Sequence, residues 1–386
     1  MNRRICIFCE RWESGGIESF LSNVLAHMDL TGLRIDIVVS ELTESVFTKP
    51  LEDRGITFVE LSGSQRSVLQ NRRRFRRRLQ DNCYDAVYLN AFQALSLQYL
   101  KIAQQCRVNV RIAHSHSTDL RKSWLRRLKL AVHHIAKRLY AGYATQYWAC
   151  SAAAASFMFP RQCPYLFVPN GIDTARFSFS PAQREIQRKE LHVSDTCLVL
   201  GSVGRLCTQK NQRFTLELAA SLLQQHKDVL VLLIGEGEDR PALEQHAQAL
   251  GIHENVLFYG TTCKMESLYA AMDLVAFPSL FEGLGIVAIE AQVNGLPVLC
   301  SEHVPPEAHI TDLAIQLPLT LGPERWAEYA VQYSGHRTLT QTERQRCRRF
   351  DIDVVAGEIE RLFRTPHCGA GRSYGKKETC DHNTDL

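Results

Sequence analysis

The sequence predicts an α/β protein made of two doubly wound domains that face each other across a cleft. Three observations predict it. Short apolar strands alternate with helical stretches from the first residues onward. The alternation lapses after Asn170-Gly171 and restarts near Cys197. The length, 386 residues, suits two cores rather than one.

Taken in order, Ile5 to Phe8 is the opening strand and Ser14-Gly15-Gly16 the turn after it. Ile17 to Met28 has helical periodicity, with Phe20, Leu21, Val24 and Leu25 on one face. Strands follow at Ile35 to Val39, Ile56 to Leu61, Asp85 to Leu89 and Val108 to Ala113. A polar connector runs to about Asp195. The second half then reads as strands at Cys197 to Val203, Val229 to Ile234, Val256 to Tyr259, Leu274 to Phe277 and Val298 to Ser301. Helices lie between them at Asn211 to Gln225, Arg240 to Leu250, Met265 to Ala271 and Leu284 to Asn294. Val354 to Phe363 is a final amphipathic helix, and the polar stretch after it has little to bury and is expected to be disordered. The expected domains are 1–170 and 171–350, with helix 351–364 returning to the first domain and a tail at 365–386. Paired doubly wound sheets direct the carboxyl ends of their strands, and with them a ligand site, towards the cleft.

Composition narrows the function. Hydrophobic residues make up 45% and charged residues 22%, an ordinary globular balance. The net charge of +4 is too small for a general polyanion binder. Basic residues are concentrated at Arg72, Arg73, Arg74, Arg76, Arg77 and Arg78, and again from Arg121 to Arg138. The first block suits a helix with Phe75 and Leu79 on its apolar side, a candidate contact for an anionic membrane surface. Trp124, Leu125, Leu128 and Leu130 are candidates to assist it. No aromatic-rich nucleic-acid motif accompanies the basic blocks. No run reaches the ~18 apolar residues of a membrane span, and the N-terminal apolar run is too short for a signal peptide. A cytoplasmic protein is expected, at most peripheral at the inner face of the cell membrane. The 13 cysteines form no framework, and Cys6 and Cys9, three apart on a strand, point to opposite faces.

Four stretches carry chemistry. Glu282-Gly283-Leu284-Gly285 joins a strand to a helix, and Glu290 follows on that helix. Glycines let a ligand approach the backbone, and the N–H groups of a helix start attract phosphate or sugar oxygens. Glu282 and Glu290 are on the order of 10 Å apart at ~1.5 Å per helical residue, so one suits a sugar and the other a ribose. Taken singly they would read as a surface carboxylate and a capping one; the glycines and the strand-loop-helix setting favour a site. The turn Gly204-Arg205-Leu-Cys-Thr-Gln-Lys210-Asn211 puts two cations at a sheet edge, suited to a diphosphate. Its spacing is not that of a Walker loop. Gly15 and Gly16 open the first strand-helix turn, where a glycine pair admits a phosphate. His114 and His116 end an N-domain strand and suit a sugar hydroxyl. No carboxylate or cysteine at ligand spacing supports a metal there.

Together, Gly-Gly near the start, N-G-I-D, G-R-L-x-x-Q-K-N, N-V-x-F-x-G and E-G-L-G-I-V-A-I-E-A resemble glycosyltransferase family 4 over residues 1–363. The nearest likeness is to the bacterial capsular and exopolysaccharide enzymes. The resemblance implies a GT-B fold of two Rossmann-like domains, the first binding the acceptor and the second a nucleotide sugar, UDP-linked by default. It implies a retaining transfer to a glycan or lipid-linked saccharide without a divalent metal or other cofactor. Glu282 would meet the donor sugar and Glu290 the ribose. Arg205 and Lys210 would hold the diphosphate, with Gly15, Gly16, Gly283, Leu284 and Gly285 beside the donor. His116 is the better match for the active-site histidine, and His114 the alternative. The competing readings are a GT-B nucleotide-sugar epimerase or isomerase and a catalytically silent nucleotide-sugar-binding protein.

Overall fold

The computed structural model describes residues 3–13, 16–119, 126–161, 163–225, 228–335 and 337–365. Gly15, Arg121, Trp124, Leu125 and the expected tail at 366–386 lie outside the described residues.

The first half contains β1 (Arg3–Trp12), α1 (Gly16–His27), β2 (Leu33–Leu42), α2 (Thr48–Asp53), β3 (Thr57–Glu60), α3 (Val68–Asn82) and β4 (Ala86–Ala91). It continues with α4 (Gln98–Gln105), β5 (Val110–Ser115), α5 (Arg126–Tyr140), β6 (Gln146–Ala149), α6 (Ala152–Met158) and β7 (Leu166–Phe167). Its strands form one parallel sheet in the order β3-β2-β1-β4-β5-β6-β7. The second half contains α7 (Pro181–Glu190), β8 (Leu198–Val203), α8 (Gln212–Gln225), β9 (Val229–Ile234), α9 (Arg240–Ala249), β10 (Val256–Gly260), α10 (Met265–Ala271) and β11 (Leu274–Phe277). It ends with α11 (Ile286–Val293), β12 (Val298–Ser301), β13 (Ala314–Leu317), α12 (Gly322–Tyr333), α13 (Gln341–Arg348) and α14 (Ile352–Arg364). The second sheet is also parallel, in the order β10-β9-β8-β11-β12-β13.

Strand order reverses between β1 and β4 in one sheet and between β8 and β11 in the other. The loops leaving these strands therefore diverge and open a crevice. Strands buried on both faces need apolar residues at successive positions, as Cys6, Ile7, Phe8 and Cys9 in β1 provide. Cys6 joins the core on one face of the sheet and Cys9 the core on the other, as the period of two requires.

Several elements differ from their sequence outlines. The 171–195 connector contains α7, started by Ser180, whose hydroxyl accepts from Gln183 N, with Pro181 in the first turn. Apolar residues are sparse on α7 because its anchor is ionic: Arg184 and buried Arg188 clamp Asp273 at 2.6 and 3.1 Å. The helix expected to begin at Leu284 begins at Ile286, since Gly285 sits in the left-handed region at φ 90° and cannot be a helical residue. Helix α14 lies on the first half, with Ile352, Val355, Ile359 and Phe363 buried against residues of α1 and β1. The chain crosses between the halves twice, side by side. Ile172 N donates to Phe350 O and Ile352 N to Ile172 O, both at 2.8 Å.

Helix α3 has Asn71, Phe75 and Leu79 on its buried face, so the two apolar residues lie in the core. Three of its arginines are also engaged. Arg74 binds Leu61 O, Arg76 binds Gln105 at 2.6 Å, and Arg78 binds Asp36 and Tyr84 at 3.0 Å each.

Candidate active site

The site is built where the loops after β8 and β11 meet. Leu280 N donates to Gln209 O at 2.8 Å, and the Gln209 side chain donates to Phe281 O at 2.9 Å. Asn211 Nδ2 donates to Pro278 O at 3.1 Å. These bonds zip the two loops together and fix Lys210 over Glu282. Lys210 Nζ lies 2.6 Å from Glu282 Oε1 and 4.9 Å from the Phe277 ring centroid. Both side chains are largely buried, so their attraction is strong but offset by desolvation, and losing either partner would strand a charge.

The N-domain faces this pair through loops at the carboxyl ends of its strands. Thr118 Oγ1 donates to Glu282 O at 2.9 Å, and Ser151 Oγ to Gly283 O at 2.5 Å. Gly283 passes so near the His116 carbonyl oxygen that a methyl group at this position would collide with it. A cavity of about 260 Å³ remains between the halves. His116, Asp119 and Asn170 line it from one side, and Gln209, Lys210, Glu282, Gly285 and Ile286 from the other. The first N–H groups of α11 have no partner within their own helix, so this helix start adds donors to the cavity wall.

The two histidines separate. His114 is fully buried on β5, its Nδ1 2.6 Å from the Tyr88 hydroxyl and its ring against Phe20 and Trp148. Burial and then the neighbouring His116 hold its pKa well below the ordinary value. As a candidate for contact with a sugar His114 is therefore corrected: it is a core residue stacked behind His116, at a ring-centroid distance of 3.9 Å. His116 lies just past the end of β5 and reaches the cavity, with Nε2 2.9 Å from Asn90 Oδ1. Desolvation lowers its pKa to about 3, so the ring is neutral at working pH.

The remaining candidates are distributed around this centre. Glu290 lies one turn further along α11, where the Tyr269 hydroxyl donates to it at 2.9 Å. Desolvation pushes its pKa up to about 7. Arg205 does not join the Lys210–Glu282 pair; it is exposed and binds Glu238 at 3.0 Å. Gly16 begins α1 with open space beside it, and Gly15 lies outside the described residues. Leu284 and Gly285 line the cavity. Sequence reasoning missed Phe92, Thr118, Asp119 and Gln209, which line the cavity, and Ser151, which bonds Gly283. Thr118 and Asp119 closely follow His116 and Gln209 precedes Lys210, so adjacency was a usable signal. Phe92 and Ser151 gave none.

Two family models match the chain, one in each half: Glycosyltransferase Family 4 over residues 14–176 and Glycosyl transferases group 1 over 183–316. The chain belongs to glycosyltransferase family 4. This glycosyltransferase is 28% identical over 329 residues to a Bacillus subtilis protein named as the glycosyltransferase EpsF, covering 81% of this chain and 83% of the relative. A second relative, the UDP-Gal:alpha-D-GlcNAc-diphosphoundecaprenol alpha-1,3-galactosyltransferase of Escherichia coli, is 28% identical over 137 residues, 35% of each chain. In fold, the enzyme matches Anabaena HepE, crystallised with UDP and glucose, at a TM-score of 0.75 and 19% identity, over 93% of this chain and 99% of that one. It also matches WaaG, a lipopolysaccharide glycosyltransferase, at a TM-score of 0.70 and 16% identity, over 93% and 99%. The architecture is GT-B.

Proposed function

We propose that this enzyme moves a sugar from a UDP-sugar to a saccharide or lipid-linked saccharide acceptor in surface polysaccharide synthesis, with retention and without a metal. The observation that carries the reading is the Lys210–Glu282 pair, set beside the start of α11 in a cavity between two sheets. Similarity to EpsF supports glycosyl transfer, and the name of the E. coli relative supports a UDP donor and a lipid-linked acceptor. The HepE complexes support UDP-glucose as one member of the donor class.

The chemistry follows from where charge develops. Departure of a nucleoside diphosphate leaves negative charge on the β-phosphate. Lys210 and the N–H groups of α11 are fixed near that place before reaction, which is the arrangement electrostatic catalysis needs. Arg205 would exchange Glu238 for the diphosphate. Glu282 would hold sugar hydroxyls, and Glu290 the ribose hydroxyls. Neutral His116 offers a ring nitrogen to the sugar without adding charge. In same-face transfer the sugar C1–phosphate oxygen bond breaks as the acceptor oxygen bonds C1 on that face. The acceptor proton passes to the departing phosphate oxygen. At about 260 Å³ the cavity is below the ~300–1,000 Å³ of drug-sized sites, so it suits the sugar and diphosphate, with the nucleoside extending towards Glu290.

A donor panel tests this. UDP- and GDP-sugars would be followed by ligand-detected binding and nucleoside diphosphate release, with and without EDTA, for the wild type and Glu282→Ala. Release from a UDP-sugar that resists EDTA and disappears in the variant is expected. Isomerised donor without release would establish the epimerase reading, and binding without turnover the silent-binder reading.

A further inference from the structure

Helix α5 presents an unusual outer face. Leu128, Val132, Ile135 and Leu139 are 58%, 41%, 58% and 59% exposed, although each is a large apolar side chain. Their spacing of four, three and four puts them within an arc of roughly 100° on one side of the helix. The opposite side, with His133 and Ala136, packs inward on the 94–97 turn and on α4. Exposed Arg127, Lys129, His134 and Arg138 flank the stripe, and the helix contains no acidic residue. Leaving four such side chains in water is unfavourable, and together they make a contiguous patch rather than scattered exposure.

We infer that α5 is a membrane-docking helix, which lays its apolar stripe into an anionic lipid surface while its basic flanks meet the headgroups. An apolar face bordered by cations is the arrangement that binds an interface without crossing it. Among the described residues no helix is long and apolar enough to cross a membrane. Charge selects the occupant. Pairing two copies through this helix would set Arg127, Lys129 and Arg138 of one against the same residues of the other. Position gives docking a purpose. Arg126, at the first turn of α5, binds Asp119 at 2.8 Å, and Asp119 lines the cleft cavity. A bilayer held by α5 would lie beside the entrance to the site, where a lipid-linked acceptor arrives. That purpose rests on the proposed acceptor; docking itself does not.

Helix α3, with more arginines, is the weaker candidate. Its Phe75 and Leu79 are in the core, and Arg74, Arg76 and Arg78 are bound within the fold. It offers charge without an apolar face to insert, apart from Leu69.

Vesicle flotation of the full chain tests the inference without reading transfer. Phosphatidylcholine vesicles with and without phosphatidylglycerol would be used. The wild type is expected to float with the anionic vesicles alone. The Ile135→Ser/Leu139→Ser variant should lose about tenfold or more in partitioning, as should Arg127→Glu/Arg138→Glu. The α3 variant Arg73→Glu/Arg77→Glu should stay within about twofold of the wild type. Because all these side chains are exposed, unchanged circular dichroism and melting are expected. Equal recovery on neutral vesicles would overturn the inference, and so would loss of flotation in the α3 variant with retention in the α5 variants. A dimer in sedimentation velocity that Ile135→Ser/Leu139→Ser dissolves would assign the stripe to self-association instead. If donor turnover fails while this pattern holds, the functional proposal falls and the docking helix stands.

Discussion

The two halves of the cleft are held together by different means. On the second half, the loops after β8 and β11 are bonded directly to each other through Gln209, Asn211 and the Lys210–Glu282 pair. On the first half, the loops after β5 and β6 reach across and grip the opposite backbone, through Thr118 on Glu282 O and Ser151 on Gly283 O. One half carries an internally braced charge cluster. The other supplies hydroxyls that bond across the cleft and a neutral imidazole held by Asn90 of its own half. The difference fits a division in which the braced half meets the part of the substrate that bears charge.

The comparison can be broken most directly at Lys210. In Lys210→Ala, kcat should fall on the order of 10²–10³-fold, because a fixed cation is removed from the place where charge develops. Stopped-assay kinetics on the preferred donor, with circular dichroism to confirm folding, would check this. A loss below tenfold would mean that the bracing matters more than the charge. Next comes Gly283→Ala, whose methyl group would press on the His116 carbonyl and wedge the halves apart. Transfer should fall on the order of 10²-fold while nucleotide binding changes little, since ångström misplacement costs rate more than affinity. Calorimetry beside kinetics separates the two, and equal losses in both would show that the halves do not divide the work.

A smaller effect concerns Glu290, which desolvation keeps protonated up to about pH 7. Ribose hydroxyls bonded to it favour the ionised form, so nucleotide binding should release a proton. Affinity should then rise several-fold as pH climbs towards 7 and level off above it, and Glu290→Gln should flatten the curve. Isothermal titration in buffers of different ionisation enthalpy would count the proton. The smallest effect belongs to His116, whose pKa is lowered from 6.5 to about 3. Between those values the unfolded chain takes up a proton that the folded chain refuses, so stability falls as pH drops through this window. The slope contributed by His116 is at most ~1.4 kcal/mol per pH unit. His116→Asn should denature less steeply with acid, as read by urea melts at pH 7 and 5.

Much of this was legible because the second half writes its chemistry into short contiguous runs. Gly204 to Asn211 and Glu282 to Glu290 each fit within one strand-loop-helix unit, so spacing along the chain stands in for spacing in the fold. The first half does not work that way. His114 and His116 share a face by the period of a strand, yet β5 ends at Ser115, and the end of the strand separates a core histidine from a cavity histidine. Helix α7 was hidden because it is anchored by Arg184 and Arg188 on Asp273 rather than by an apolar stripe. On α3 an apolar pair was rightly placed on one face, but a sequence does not say whether such a face meets protein or lipid. On α5 the exposed stripe answers that question only when its surroundings are known.

The double crossing between the halves has a mechanical consequence. Where 172 lies bonded between 350 and 352, two chain segments are clipped together side by side. A single tether would let the halves swivel in any direction; two clipped ones act like the paired knuckles of a door hinge. Rotation about the line of that clip is the swing that keeps both bonds intact.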